Sequence, residues 1–315
     1  MIIWGYMRAN EIETFRALMV SGSARKAAVL LGVSQPAVSQ SLKRLESEAG
    51  FDLFQRLRGR LHPTPEAKAL LVEVERSFVG MGAIEHRLKS LRDFGVNQLN
   101  IASYPAFGLG FMPRCLARLM TAKTPERRPH VSLQVLSSRD VRERVVSGHA
   151  DFGLMADEIP TSGLDATLFA RFPGVVVMKG DHPLARHQRV QPQQLAEIPF
   201  LALNPEDASR RRLEEKLAEH GVHLSVSIHT PYAASVCEMA LRGLGVGIVN
   251  PITALDYAER GLVVRRLSVD VGFSCLLAVP VGQVLSGVAR NFLALMRSQL
   301  HQDECALRSH LGETT

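Results

Sequence analysis

The sequence predicts an α/β protein built in three parts, and three patterns predict it. Residues 8–62 have the spacing of short helices joined by tight turns, residues 64–93 that of one long helix, and from about residue 97 short β-branched runs alternate with helical stretches. Alternation of this kind predicts parallel sheets with helices on both faces. A chain of 315 residues has room for about two domains. Its 46% hydrophobic and 22% charged residues exclude a disordered protein.

Three features of the sequence indicate where in the cell the protein is located. No run approaches the roughly 20 apolar residues that a membrane-spanning helix needs, so we expect no membrane association. The apolar opening MIIWGYM lacks the basic leader and cleavage site of a secretory signal. We expect residues 1–6 to be an extension or an upstream start, with Met7 as the alternative start. The cysteines form no CxxC pair, which predicts buried thiols in a reducing cytoplasm. They are Cys115, Cys237, Cys275 and Cys305.

Residues 23–46 have the pattern of two helices joined by a tight turn. Ser23 is placed to cap the first helix, and Ser34 the second. Gly32 supplies the positive φ that a sharp turn requires. Pro36 falls in the first turn of the second helix, where its missing N–H has no consequence.

The second of these helices has one apolar and one polar face. Val38, Leu42 and Leu45 recur at helical spacing and predict a buried stripe. Gln and Ser on the opposite face are suited to reading base edges in a major groove, while Lys and Arg neutralise phosphates. Residues 1–66 also contribute +3 of the net charge of +6. A helical hairpin with a solvated face is the alternative. The candidate DNA-binding residues of this helix are Ser34, Gln35, Pro36, Ser39, Gln40, Lys43 and Arg44.

The pattern S-x3-A-A-x2-L-x-V-S-Q-P-A-V-S-x2-L-x2-L-E, followed by Leu53-Phe54-x-Arg56 and Thr64, strongly resembles the LysR-type transcriptional regulators. The resemblance implies a winged helix-turn-helix over residues 1–63, with the wing near residues 57–62. It also implies that Arg56, Arg58 and Arg60 reach phosphates or the adjacent minor groove. The family's usual L-T-x-A-G stretch is replaced here by PTPEA. That variant, and the later stretch TPYAASVCEMALRGLGVGIVNP, are similar to the opine-responsive members, the octopine and nopaline catabolism regulators.

Residues 64–94 predict a linker helix that pairs two copies of the chain. Thr64, Pro65 and Glu66 form a good helix start. The apolar stripe that follows is close to a heptad seam and too long to bury against one small domain. Packing on the C-terminal domain is the alternative. Two copies would present two recognition helices to an inverted-repeat site on double-stranded DNA. The stripe consists of Ala67, Leu71, Val74, Phe78, Met81, Ile84, Leu88 and Leu91.

The resemblance implies that residues 95–302 form an effector domain of two α/β subdomains, like those of periplasmic binding proteins. We place subdomain I at 97–169 and 274–300, and subdomain II at 174–268. The chain would cross between them near 170–173 and 270–273. Residues 303–315 are expected to be a flexible tail.

A small anionic effector is expected in the cleft between the subdomains, at the carboxyl ends of strands. Several strand-to-helix junctions there carry Ser, Thr or Tyr, and helix N-termini favour a carboxylate. The alternative is that each residue only caps a helix. The candidate effector residues are Ser103, Tyr104, Ser138, Asn204, Thr230 and Tyr232.

The sequence therefore predicts a cytoplasmic, homo-oligomeric transcriptional regulator controlled by a small metabolite, which is an amino acid, an opine or an organic acid. The family commonly forms tetramers from dimers, and RNA polymerase is a further expected partner. The alternatives are a solute-binding module without a DNA role and an enzyme on the C-terminal fold. No G-x-S-x-G, HExxH or GxxxxGK[ST] motif occurs, so we expect no enzyme activity and no cofactor. His220, His223 and His229 are expected to be surface residues rather than a metal site.

Overall fold

The computed structural model describes residues 8–57, 60–94, 97–122, 124 and 128–312. The chain divides into two compact units, residues 1–85 and residues 86–315. None of the helices described in these ranges is both long and apolar enough to cross a bilayer.

The N-terminal unit consists of three helices, a two-stranded antiparallel hairpin and the first part of a long helix. Phe15, Leu18, Val38, Leu45 and Leu53 form the centre of its core. Three helices followed by a hairpin make up the predicted winged helix-turn-helix. The elements are α1 (Ala9–Ser21), α2 (Ala24–Leu31), α3 (Gln35–Ala49), β1 (Phe54–Leu57), β2 (Arg60–Pro63) and α4 (Pro65–Phe94).

The predicted helix starts are confirmed by hydrogen bonds. The Ser23 Oγ accepts from the Lys26 N–H at 3.2 Å, and the Ser34 Oγ from the Ala37 N–H at 3.4 Å. Thr64 caps α4 by accepting from the Ala67 N–H at 3.2 Å. Gly32 ends α2 with a φ of +64°, as the turn requires.

Helix α4 divides its apolar stripe between two environments. Ala67 and Val74 are buried in the core of the N-terminal unit, and Leu71 and Phe78 pack against that core. The prediction that the whole stripe faces a second copy is therefore wrong for its first half, because α1 and the hairpin leave an apolar surface that this half covers. Farther along, Ile84 and Leu88 are 56% and 63% exposed. The side chains of Met81 and Leu91 lie outside the described residues.

The first sheet of the C-terminal unit has five strands in the order β4-β3-β5-β13-β6. Strands β3, β4 and β5 are parallel, whereas β13 runs antiparallel to both of its neighbours. Helices α6 and α11 cover one face and α7 the other. The elements are β3 (Gln98–Ser103), α5 (Pro105–Gly108), α6 (Phe111–Thr121), β4 (His130–Val135), α7 (Ser138–Val146), β5 (Phe152–Ala156), β6 (Leu164–Pro173), β13 (Gly272–Pro280) and α11 (Gly287–His310).

The second sheet has six strands in the order β10-β9-β11-β7-β12-β8. Helix α8 packs on one face, and α9 and α10 pack on the other. The elements are β7 (Val175–Lys179), β8 (Arg189–Val190), β9 (Pro199–Leu203), α8 (Ala208–Ala218), β10 (Ser225–Thr230), α9 (Ala233–Leu241), β11 (Val246–Val249), α10 (Pro251–Ala258) and β12 (Leu262–Leu267), with 3-10 turns at Pro183–Arg186 and Pro192–Leu195.

The chain passes between the two sheets twice, close to the predicted crossings. The first passage is at Gly174, between β6 and β7, and the second is at 268–271, between β12 and β13. Parallel pairs are present as predicted, but both sheets also contain antiparallel pairs. In the first sheet, β13 returns beside β6 and pairs with it antiparallel from Gly272↔Pro173 onward.

The C-terminal end of the chain differs from the prediction of a flexible tail over 303–315. Helix α11 continues to His310, and Asp303 and Leu307 are buried. The Asp303 Oδ2 accepts from the Arg114 Nη2 at 2.7 Å, which fixes this part of α11 against α6. The tail prediction is therefore wrong for residues 303–310.

Candidate functional site

Helix α3 presents a polar face that is held from behind by fully buried side chains. Val38 and Leu45 are buried in the core, and Leu42 is half-buried beside them. The candidate DNA-binding side chains fall on the outer face, as predicted: Ser39 is half-buried, and the others are exposed. The exposed set is Ser34, Gln35, Pro36, Gln40, Lys43 and Arg44.

The turn before α3 has one feature that the sequence pattern did not predict. The side chain of Val33, in the corner between the two helices, does not fill that corner and is 47% exposed. Its N–H donates to the Ala28 carbonyl at 3.0 Å, so the backbone rather than the side chain closes the turn.

A carboxylate in the last turns of α3 fixes the start of the wing. The Glu46 Oε1 accepts from the N–H groups of Leu53 and Phe54 at 2.8 and 3.1 Å. Directly after β2, the Thr64 hydroxyl donates to the Leu53 carbonyl at 3.1 Å. Sequence reasoning missed Glu46 as a positioning residue. The sequence signal for this role was an acidic residue directly after the apolar Leu45, on the part of α3 that faces the wing.

The wing arginines are predictions that the described residues do not test. The backbones of Arg56 and Arg60 lie in β1 and β2, where Arg56 pairs with Leu61 and Leu57 pairs with Arg60. Their side chains, and the whole of Arg58, lie outside the described residues.

A cleft of about 800 Å³ opens in the C-terminal unit between the two sheets. Residues from the first sheet and its helices form one wall, and Asp207, Pro231 and Tyr232 from the second sheet's segments form the other. Of the candidate effector residues, Tyr104, Ser138 and Tyr232 line it.

The other three candidates are not among the residues that line this cleft. Ser103 is fully buried, and its hydroxyl donates to the Tyr104 carbonyl at 3.1 Å. The Asn204 carbonyl accepts from the Asp207 N–H at 3.0 Å, within the turn before α8. The Thr230 Oγ1 accepts from the Tyr232 N–H at 3.4 Å. These contacts hold the strand-to-helix junctions in place.

The start of α7 forms the anion-favouring part of the cleft. Ser137, not Ser138, caps the helix by accepting from the Asp140 N–H at 3.2 Å. The Ser138 hydroxyl instead accepts from the Ala156 N–H at 3.1 Å, which ties the helix start to the end of β5. Arg139 is exposed in the same turn and lines the cleft. A carboxylate is suited to this end because helix N-termini carry partial positive charge.

Tyr104 supplies a neutral hydroxyl in the wall of the cleft. Burial, followed by the neighbouring Cys275, raises the pKa of Tyr104 well above its ordinary value. Burial also raises the pKa of Cys275. Both groups are therefore protonated near neutral pH, and Tyr104 lines the cleft as an uncharged residue.

Acidic residues that the sequence analysis did not select line the cleft and a neighbouring cavity. Asp157, Glu158 and Asp207, together with Arg212, line a small cavity of about 70 Å³, and Tyr104, Glu158 and Asp207 also line the larger one. The sequence signal was available, because Asp157 and Glu158 directly follow β5 and Asp207 lies in the turn after β9. These acids were not predicted as site residues, because only groups suited to binding an anion were selected.

The three histidines considered as a metal site are exposed, and the His220 Nδ1 lies 2.9 Å from the Lys216 carbonyl oxygen. Within the described part of the chain, no group of three or more His, Cys, Asp or Glu residues is arranged to hold a metal ion.

A helix-turn-helix with an exposed polar second helix, in one chain with an α/β unit that contains a ligand-sized cleft, defines a ligand-responsive DNA-binding regulator. Residues 9–68 match the family described as bacterial regulatory helix-turn-helix protein, lysR family, and residues 95–301 match the LysR substrate binding domain. The chain belongs to the LysR family of bacterial transcriptional regulators.

Relatives over nearly the whole chain agree with this assignment. The transcriptional activator protein LysR of Escherichia coli K12 is 36% identical, covering 97% of each chain. The regulatory protein NocR of Agrobacterium fabrum C58 is 30% identical, covering 93% of this chain and 97% of its own. The octopine catabolism/uptake operon regulatory protein OccR of Rhizobium meliloti is 29% identical over 85% of this chain and 88% of its own. The family and these relatives are transcriptional regulators, not enzymes.

Solved structures of regulators share the fold. HinK, a LysR family transcriptional regulator from Pseudomonas aeruginosa, has a TM-score of 0.55 at 18% identity, covering 92% of this chain and 98% of its own. Full-length CbnR in complex with its target DNA has a TM-score of 0.54 at 18% identity, covering 94% of this chain and all of its own.

Proposed function

We propose that a dimer of this chain binds an inverted-repeat promoter site through α3, and that a small carboxylate-bearing metabolite in the cleft changes how the protein occupies that site. The observation that carries the proposal is the polar face of α3, which is exposed while Val38 and Leu45 anchor the opposite side of the helix. A helix mounted in this way is suited to a major groove.

The chemistry of α3 divides into two roles. Gln35 and Ser39 lie in its first turns, where short polar side chains contact base edges. Lys43 and Arg44 follow one turn later and neutralise phosphates. The arginines of the wing extend the phosphate contacts beyond the helix. CbnR, whose fold this chain shares, has been solved on its target DNA, which supports the same mode of docking here.

Pairing is proposed to use the second half of α4. Ile84 and Leu88 are one helical turn apart and exposed, whereas the first half of the stripe is occupied by the chain's own core. Two copies joined there carry two α3 helices, so the DNA site has matching symmetry. Family membership supports assembly of dimers into a tetramer, contact with RNA polymerase at the promoter and a cytoplasmic location.

The effector is proposed to lie at the start of α7, between Tyr104 and Tyr232. The helix start, Ser138 and Arg139 receive its carboxylate, and the two tyrosines contact its apolar part. The printed name of OccR refers to octopine catabolism and uptake, which supports a nitrogen-containing metabolite as one class to test. The ligand shifts the regulator only by its difference in affinity for two arrangements, typically about 1–3 kcal/mol.

The proposal is tested by DNA binding of the purified full chain. We expect it to prefer the promoter fragment upstream of its own gene over a scrambled competitor at moderate ionic strength, with and without cell metabolites. Gln35→Ala should reduce the preference between sequences by about 1–3 kcal/mol. Lys43→Ala should weaken binding to all sequences and reduce the salt slope by about one.

Arg290→Ala, an arginine on α11 outside the N-terminal unit, is the charge-matched control and should leave both properties unchanged. Equal binding to the promoter and scrambled fragments would reject the DNA-binding proposal. An unchanged salt slope and unchanged sequence preference in both α3 variants would move the contact surface away from α3.

A further inference from the structure

A cavity of about 230 Å³ lies where the chain passes between the two sheets of the C-terminal unit. One wall is the end of β6 and the first passage, over residues 171–175, and another is the end of β12, with Arg266 and Leu267. The last turns of α11 form the third wall. Among the described residues, none lines both this cavity, the crossing pocket, and the cleft between Tyr104 and Tyr232. The crossing pocket is therefore a separate space.

Each wall of the crossing pocket contributes one arginine. These are Arg171 of β6, Arg266 of β12 and Arg308 of α11. Glu304 is the single acid among the described lining residues, so three positive charges and one negative charge leave a surplus of two positive charges. The side chains of Arg171 and Arg308 are exposed and take part in none of the ion pairs or hydrogen bonds of the described residues. Both guanidinium groups are therefore available to an anion.

The position of Arg171 relates it to both chain passages. Its own strand, β6, leads into the first passage, and its side chain extends over the strand that leaves the second. A Cβ added to Gly272 of β13 would lie 3.4 Å from both the Nε and the Nη2 of Arg171. The guanidinium group therefore lies beside the backbone at which the chain returns from the second sheet to the first.

The remaining lining of the crossing pocket is mostly apolar. Leu267 and Leu307 are buried, and Leu311 is half-buried where it packs against the core of the second sheet. A space of this size holds a small ligand rather than a drug-sized one. The pocket therefore combines a charged rim with an apolar surface that is large enough for a few carbon atoms.

Three guanidinium groups on three walls match a phosphate group better than a carboxylate. A carboxylate has two oxygens, and a single guanidinium can occupy both in a bidentate pair. A phosphate group has three or more acceptor oxygens pointing in different directions, so several guanidinium groups can donate to it at once. Its charge near neutral pH, close to −2, also balances the surplus of the lining.

We propose that the crossing pocket binds a phosphate group, free or as a small monoester, through Arg171, Arg266 and Arg308. These arginines belong to the first sheet, the second sheet and α11, so a bound phosphate group joins all three. It thereby favours the arrangement of the two sheets in which the three arginines reach it together. The pocket is a second ligand site, and its binding of phosphate depends neither on the DNA-binding helix nor on a ligand in the cleft.

The test is isothermal titration calorimetry of the full-length protein with inorganic phosphate, phenyl phosphate and succinate, at constant ionic strength set with chloride. We expect both phosphate compounds to bind and succinate to bind at least about tenfold more weakly, because it satisfies fewer charged hydrogen bonds. Tighter binding of phenyl phosphate would identify a monoester as the natural ligand, and tighter binding of inorganic phosphate would identify the free ion. Both of these results support the proposal.

Hydrogen–deuterium exchange locates the bound phosphate. With saturating inorganic phosphate, we expect slower exchange over residues 172–175 and 266–271 and in the last turns of α11. Slower exchange in α3, with the passages unchanged, would place the phosphate on the DNA-binding helix and overturn the proposal.

Arg171→Gln and Arg308→Gln remove one exposed guanidinium each and are expected to leave the fold intact, which circular dichroism checks. Each should weaken phosphate binding by about 10- to 100-fold. Arg297→Gln is the matched control, because Arg297 is also an exposed arginine of α11 but does not line the pocket. Its phosphate affinity should equal that of the wild type.

Three results would overturn the proposal. The first is that neither phosphate compound binds, and the second is that both pocket variants retain wild-type affinity. The third is that succinate binds as tightly as phosphate, which would show that the arginines do not select a phosphate group. None of these results affects the proposals for α3 or for the cleft, since those are measured with DNA and with other ligands.

Discussion

The two proposed functional surfaces of this protein are built in opposite ways. The proposed DNA-reading face lies on one helix and its N-cap, and its candidates lie within residues 34–44. The walls of the cleft come from segments that follow five separate strands, from Tyr104 after β3 to Tyr232 after β10. The chain crosses twice between the two sheets that carry these strands. The first surface is fixed by local spacing, whereas the second depends on long-range contacts.

This difference has an energetic counterpart in the ion pairs of the two units. Arg16 and Glu75 pair at 2.8 Å on the N-terminal unit with about 40% of each side chain exposed. In the C-terminal unit, Arg114 contacts Asp256 and Asp303, and the side chain of Asp303 is only 5% exposed. In the C-terminal unit, a buried charged residue therefore joins elements that are distant in sequence. In the N-terminal unit, such elements are joined mainly by apolar packing.

The largest effect is expected from removing Arg114. Arg114→Met leaves Asp303 buried with Gln299 as its remaining partner, whose Nε2 donates at 2.7 Å. A buried charge without its counter-ion is costly, so we expect a loss of about 3 kcal/mol from the free energy of unfolding of the C-terminal unit. Urea denaturation followed by circular dichroism measures it.

Arg118→Met is the control for this variant. Arg118 lies one turn farther along α6 and bonds only neutral side chains on α11, those of Ser298, Gln299 and Gln302, among the described contacts. Its loss should cost about 1 kcal/mol at most. Equal urea midpoints for the two variants would show that the buried charge of Asp303 is compensated without Arg114.

The sequence predicted most of the N-terminal unit because its signals are local. Ser23, Gly32, Ser34 and Thr64 each act within four residues of their own position, so a cap or turn can be assigned without knowledge of the rest of the fold. The polar face of α3 follows from the same spacing. In the C-terminal unit, for the same reason, short runs predict strands at 99–102, 131–136, 151–155, 175–178, 200–203, 224–228, 246–250 and 275–279, and a strand is found at each of them.

What the sequence did not predict depends on tertiary contacts. Strands β6, β8 and β12 and helix α10 were not predicted. The end of α11 was taken for a tail, but the buried Asp303 there is bound by Arg114 of α6, which is distant in sequence. Ser103 was chosen as a ligand contact because it ends a strand, but β3 is buried along its whole length.

The second prediction separates the two halves of α4. Leu88→Asp places a charge on the exposed half and should remove at least about 2 kcal/mol of pairing energy, so that light scattering reports a smaller assembly. Phe78→Asp instead places a charge against the N-terminal core, beneath the Arg16 guanidinium at 4.6 Å from the ring centroid. We expect Phe78→Asp to lower the melting temperature of the N-terminal unit. A native assembly size for Leu88→Asp would place the pairing surface elsewhere.

The third prediction concerns the bond between α3 and the wing. Glu46→Ala leaves the N–H groups of Leu53 and Phe54 without their shared acceptor, and we expect a loss of about 1–3 kcal/mol in stability. DNA affinity should fall as well, because the wing no longer has a fixed position relative to α3. Glu48→Ala, an exposed acid on the same helix, should change stability by less than about 0.5 kcal/mol. Equal unfolding curves for the two variants would reject the positioning role.

The smallest effect is expected at the exposed ion pair. Arg16→Met removes the bond to Glu75 but keeps an unbranched apolar chain over the Phe78 ring, so the packing is largely retained. Exposed pairs contribute about 0–1 kcal/mol, and salt screens them further. A double-mutant cycle with Glu75→Gln should therefore give a coupling energy below about 1 kcal/mol that decreases in high salt. A coupling energy of about 3 kcal/mol, as large as the loss expected for Arg114→Met, would mean that the N-terminal unit also depends on a desolvated charge. The two units would then differ only in how far apart in sequence the paired residues are.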